Sequence, residues 1–97
     1  MLEQQIQAKI IKELKKRGCY VVKVITASTS GVPDILACCK GKFYGIEVKR
    51  PGNKPSALQI ANMGMIVKAG GISFVAYSVE DLDEGRIGES EEVVGDA

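Results

Sequence analysis

The sequence predicts an α/β fold in the order αβββαβ, a mixed sheet flanked by helices. Three observations carry that prediction. An apolar stripe of helical period opens the chain, four short runs of strand character follow, and a second helical segment separates the third run from the fourth. At 97 residues the chain is sized for a single domain, residues 1–97.

In the first helix Leu2, Ile6, Ile10 and Leu14 recur every four residues and Ile11 widens the stripe. Lys9, Lys12 and Lys16 fall on another face and read as a solvated surface, and Gly18 closes the helix after about four turns. Residues 20–25 are rich in β-branched side chains and form the first strand. A small polar loop, residues 26–31, follows. Residues 34–39 and 43–49 are two further strands, with Lys40-Gly41 as the turn of a hairpin. Pro51, Gly52 and Pro55 make residues 50–55 a loop, and Ser56 caps a second helix that runs to Ala69 and ends on Gly70-Gly71. Residues 72–77 form the fourth strand, residues 78–81 begin a short helix, and an acidic tail frays from about residue 84.

Composition removes several classes of chemistry. The chain has no histidine, which excludes Ser-His-Asp triads, Cys-His dyads and histidine-containing zinc sites. No Walker loop is present, since Gly52-Asn53-Lys54-Pro55-Ser56 has the wrong spacing and continues through a proline, so no nucleotide cofactor is expected. The longest apolar run, residues 35–39, is far short of a membrane span, and Glu3-Gln4-Gln5 is no signal-peptide start. Three cysteines, two of them adjacent, argue against a disulfide and for a reducing cytoplasm, with Cys19, Cys38 and Cys39 as small buried hydrophobes. The net charge of +1 conceals an asymmetry: residues 1–79 hold twelve Lys or Arg against four acids, and residues 80–97 hold eight acids against Arg86. A basic body of this kind fits a nucleic-acid partner, because phosphate neutralisation supplies most non-specific affinity.

The hairpin concentrates the chemistry. With Lys40-Gly41 as a two-residue turn, Cys39 pairs with Lys42 and Asp34 comes to lie directly opposite Glu47 on the same face. Lys49, two residues beyond Glu47, shares that face, while Ile46 and Val48 point to the other. Two carboxylates so close repel unless a cation sits between them, and a hard divalent metal that takes one or two carboxylates and keeps several waters meets that need. Arg50, Asn53 and Lys54 follow directly and are placed to bind phosphates of DNA beside that site.

Gly31-Val32-Pro33-Asp34, then Glu47-Val48-Lys49, then Pro55-Ser56-Ala57-Leu58-Gln59, in this order, resemble the VRR-NUC family, the virus-type replication and repair branch of the PD-(D/E)xK nucleases. The resemblance implies a restriction-endonuclease-like core and a divalent-metal-dependent DNA endonuclease. It implies that Asp34 and Glu47 hold Mg²⁺ or Mn²⁺ with the backbone carbonyl of Val48, that Lys49 assists catalysis, and that Gln59 and Glu3 stand at the site. Glu3 would reach it through water or a second metal. Gln59 also satisfies a capping box with Ser56, and Glu3 also suits the first turn of a helix. One departure is that Thr29-Ser30 precede Gly31 where members often carry a basic residue.

The second helix is apolar nearly all round, with Gln59, Asn62 and Lys68 its exceptions. A small sheet covers one face of such a helix, so a homodimer through it is expected. Paired sites across a two-fold suit the two strands of a Holliday junction. The alternatives are a nickase or flap nuclease of the same fold, or a catalytically silent DNA-binding or protein-interaction domain.

Overall fold

The computed structural model describes residues 1–84 and residue 87; the acidic tail expected from about residue 84 lies almost wholly outside them. Helix α1 (Glu3–Lys16) precedes strand β1 (Tyr20–Lys23), the hairpin of β2 (Ile35–Cys39) and β3 (Lys42–Val48), helix α2 (Ala57–Lys68), strand β4 (Ile72–Ala76) and the single turn α3 (Asp81–Glu84). The sheet order is β1-β2-β3-β4, antiparallel except for the parallel β3–β4 pair that α2 connects. The expected αβββαβ order and mixed sheet are what the chain forms.

Helix α1 buries Ile6, Ile10 and Leu14 against the inner face of the sheet, on Ile35, Ala37, Cys39, Tyr44, Ile46 and Val48. Leu2 leaves the predicted stripe and is exposed, because it stands at the cap, where its N–H donates to Gln5 Oε1 at 2.7 Å. Arg17 ties the end of α1 to the far end of the described chain, donating to Asp83 Oδ1 at 2.7 Å and to the Ile87 carbonyl at 2.8 Å. Asp83 and Ile87 are thereby held beside the end of α1, and Leu82 and Ile87 are buried.

Helix α2 crosses the outer face. Gly45 on β3 makes room for it, since a Cβ there would stand 2.5 Å from Ile66 Cδ1. Gly31, with φ +82°, takes a left-handed conformation and passes under Leu58, where a side chain would collide. The Asn62 side chain donates to the Ser30 carbonyl at 2.9 Å, which pins the loop leading to Asp34 onto α2.

Two sequence expectations need correction. Cys19 and Cys39 form a disulfide, with Cα atoms 4.5 Å apart, and Cys38 is exposed. The β1–β2 register, Tyr20↔Cys38, sets Cys19 directly across from Cys39, so the count of three cysteines misled. The cysteines thus give no argument for a reducing compartment. Strand β1 also stops at Lys23, short of Ile25. In that register Ile25 would face Pro33, which has no N–H to offer the ladder.

Candidate active site

The hairpin turn is the device that builds the site. Lys40 (φ 54°) and Gly41 (φ +81°) both take positive φ, as a type I′ turn requires, and the pairs Cys39↔Lys42 through Ile35↔Ile46 follow from it. One step further along that register Asp34 stands across from Glu47. The Val48 N–H donates to Asp34 Oδ2 at 2.8 Å, locking the two strand ends together. In an extended strand the N–H and C=O of one residue leave on the same side, so the Val48 carbonyl also leaves β3 on its β2 side. Lys49 Nζ lies 3.8 Å from Glu47 Oε2.

Glu47 is 1% exposed, and its Oε1 is buried with no hydrogen-bond partner. Burial, and after it the charge of Asp34 and hydrogen bonding with Asp34, push its carboxyl up to about 8; Lys49 opposes the rise and Glu3 adds slightly to it. A buried acceptor left bare beside a second carboxylate fits a divalent cation, which would replace the missing partner and cancel the repulsion. Among the described residues no group of three Asp, Glu, Cys or His side chains converges, so the side chains such an ion would meet here are the Asp34–Glu47 pair.

Glu3 sits on the first turn of α1 and faces the loop that leaves β3. Its Oε2 accepts from the Arg50 N–H at 3.3 Å and from Asn53 Nδ2 at 3.2 Å. Desolvation raises its carboxyl, but the hydrogen bonds from Asn53 and Arg50 and the charges of Lys49 and Arg50 outweigh it and hold the group below the usual carboxylate range. The loop is a type II turn: Gly52 has φ +95° after Pro51, and the Asn53 N–H donates to the Arg50 carbonyl at 3.0 Å. Arg50, Asn53 and Lys54 are exposed along it. Gln59 has its carbonyl committed to the α2 cap, accepting from the Ser56 N–H at 2.8 Å while its own N–H donates to Ser56 Oγ at 3.1 Å. Sequence reasoning passed over Gln7, one turn beyond Glu3, whose Oε1 is also buried without a partner, and Asn62, which anchors the Asp34 loop. As one of three polar residues in an apolar helix, Asn62 was the more visible of the two.

The raised Glu47 carboxyl has a measurable consequence. A carboxyl whose pKa is 4.5 unfolded and about 8 folded stabilises the metal-free protein fully below pH 4.5, and that stabilisation is lost as pH rises to about 8. No histidine titrates in this window. Urea unfolding in EDTA should therefore give falling stability from pH 5 to 8 for the native chain and a flatter profile for Glu47→Gln. A rise over that interval in the native chain would show that Glu47 is already ionised at pH 5.

A mixed αβββαβ sheet that brings an Asp and an E-x-K strand side by side is the restriction-endonuclease-like core of the PD-(D/E)xK class. The sequence model for the archaeal Holliday junction resolvase (Hjc) matches residues 4–70, and the chain belongs to that family. A solved VRR_NUC domain superposes with a TM-score of 0.74 at 27% identity, covering 84% of this chain and 90% of that one. The Holliday junction resolvase Hjc of the archaeal hyperthermophile Archaeoglobus fulgidus superposes with a TM-score of 0.59 at 25% identity, covering 75% of this chain and 65% of that one. The nuclease-named p44 protein of Acyrthosiphon pisum secondary endosymbiont phage 1 is 34% identical over 59 residues, 60% of this chain. The match spans 63% of that phage protein. No described helix is long and apolar enough to cross a membrane.

Proposed function

We propose that this chain is a divalent-metal-dependent deoxyribonuclease that hydrolyses phosphodiester bonds in branched DNA, as a homodimer acting like a Holliday junction resolvase. The single observation that carries the reading is the bare, buried Glu47 Oε1 beside Asp34, with Lys49 next to it. Asp34, Glu47 and the Val48 carbonyl would hold Mg²⁺ or Mn²⁺. When bound, such an ion supplies charge neutralisation at the phosphate and a lowered pKa for its water. Lys49 then stabilises the negative charge that gathers on the phosphoryl oxygens as the P–O bond breaks. Glu3 is a positioning residue, since it holds the Arg50–Asn53 turn against α1. That turn would present Arg50, Asn53 and Lys54 to the phosphates flanking the cut, and Gln59, whose side-chain oxygen caps α2, would offer its remaining amide group to the same DNA strand.

End-labelled four-way junction, flap and duplex DNA, each with Mg²⁺, Mn²⁺ or EDTA, test this directly. The expected result is paired, symmetric cuts in the junction with metal and none in EDTA. Cuts confined to the flap or to one strand would replace the resolvase by a flap nuclease or nickase. No cleavage of any form with either metal would leave a DNA-binding domain.

A further inference from the structure

Away from the site, α1 and the edge strand β1 enclose a recess of about 430 Å³ lined by Gln4, Ala8, Ile11, Lys12, Lys15 and Lys23. In the sequence Lys12 belongs to a wet helix face and Lys23 to an unrelated strand. In the fold, Lys23 shares the inner side of β1 with Val21, which packs on the core, and so turns toward α1. Three ammonium groups then surround one concavity with an apolar floor of Ala8 and Ile11. None of the three enters an ion pair among the described residues. The one acid on that length of α1, Glu13, is held by Arg17 Nε at 2.8 Å.

The recess borders the surroundings of the candidate active site through one shared residue and one backbone contact. Gln4 also lines the neighbouring depression formed by Leu2, Glu3, Gln7, Arg50 and Asn53. On the strand side, Lys23 precedes Val24, whose N–H donates to the Asp34 carbonyl at 2.8 Å. From Gln4 to Lys15 the helix rises about 16 Å at 1.5 Å per residue. That is the axial rise of roughly five steps of a DNA strand at 3.4 Å each.

Resting on the nuclease reading above, we propose that the α1–β1 recess is a second DNA-binding surface, where Lys12, Lys15 and Lys23 grip the phosphate backbone of the arm leading away from the cut. Chemistry selects the partner: three cations, no free acid, an apolar floor fit for deoxyribose, and Gln4 shared with the depression beside Glu3 and Arg50. The contacts are to phosphate, so they position the arm and read no sequence. Anchored there, an arm leaves the site at a set angle, which is how a surface remote from the chemistry favours branched over straight DNA.

The test is equilibrium binding of a labelled four-way junction in EDTA, over a salt series, with three proteins: the native chain, Lys12→Gln with Lys23→Gln, and Lys9→Gln with Lys40→Gln. The two double variants lose the same charge, but Lys9 and Lys40 do not line the recess. The recess variant should reduce the slope of log K against log salt by about 1.8, near 0.9 for each lost phosphate contact, and the control by well under 1. Equal reductions would assign the affinity to net charge and overturn the proposal, as would an unchanged slope in the recess variant or no junction binding at all. Because cleavage is not the readout, a chain that binds in this way but never cuts would refute the nuclease reading and leave the recess standing.

Discussion

Asp34→Asn and Glu47→Gln should each lower the proposed junction cleavage by at least about 10²–10³-fold, the scale seen when one preorganised electrostatic group is removed from an active site, and both variants should remain folded. The carboxylates are a pair built by the strand register, so in the proposed site losing either would leave the other to hold a cation alone. The fold should not depend on their charges, because an ionised Glu47 without metal is a buried charge beside Asp34: its carboxyl is raised to about 8 and bare at Oε1. Glu47→Gln should consequently melt above the native chain in EDTA at pH 8 and gain no stability from Mg²⁺. Asp34→Asn keeps a side-chain oxygen that can accept from the Val48 N–H, so the strand ends stay joined. Cleavage near the native rate in either variant would remove Asp34 and Glu47 from the chemistry. Unfolding in both would assign them to structure instead.

The second large effect concerns α2. Leu58, Ile60, Met65 and Val67 are 52%, 55%, 59% and 55% exposed, and the described helix buries only Asn62 and Met63. Among the described residues, Asp83 and Ile87 lie beside α1, held by Arg17, and do not cover this face. Gly64 stands mid-helix where an added Cβ would meet nothing, although glycine there costs about 1 kcal/mol against alanine. A second copy of α2 crossing at Gly64 would use both features. Ile60→Glu and Val67→Glu should stay folded yet become monomeric, since each would place a charge in the proposed isologous contact. Met63→Glu should instead destabilise the fold itself by about 3 kcal/mol or more, because Met63 is 9% exposed. Gly64→Ala separates the cases further: it stabilises an isolated chain and weakens a close helix crossing. Each monomer carries a complete Asp34-Glu47-Lys49 set, so it should nick one strand and lose paired cuts. A native chain that sediments as a monomer at micromolar concentration would remove the dimer and the resolvase reading with it.

Features that depend on neighbours along the chain were legible in the amino-acid sequence. The Lys40-Gly41 turn dictated the β2–β3 register, so the placement of Asp34 opposite Glu47 could be counted from a two-residue loop. The Ser56–Gln59 cap and the apolar surround of α2 were equally local. What tertiary structure alone decided involves partners distant in sequence. The Cys19–Cys39 disulfide depends on a β1–β2 register set across the long connection from Val24 to Asp34, which no turn residue fixes in advance. Glu3 meets Arg50 and Asn53 across nearly half the chain, and Lys23 joins Lys12 and Lys15 only because β1 lies at the sheet edge beside α1. Short connections transmit geometry residue by residue. Across long ones, which side chains meet is settled by the packing of α1 on the sheet, whose energy comes from the whole buried set of Ile6, Ile10, Leu14 and their partners rather than from any adjacent pair of residues.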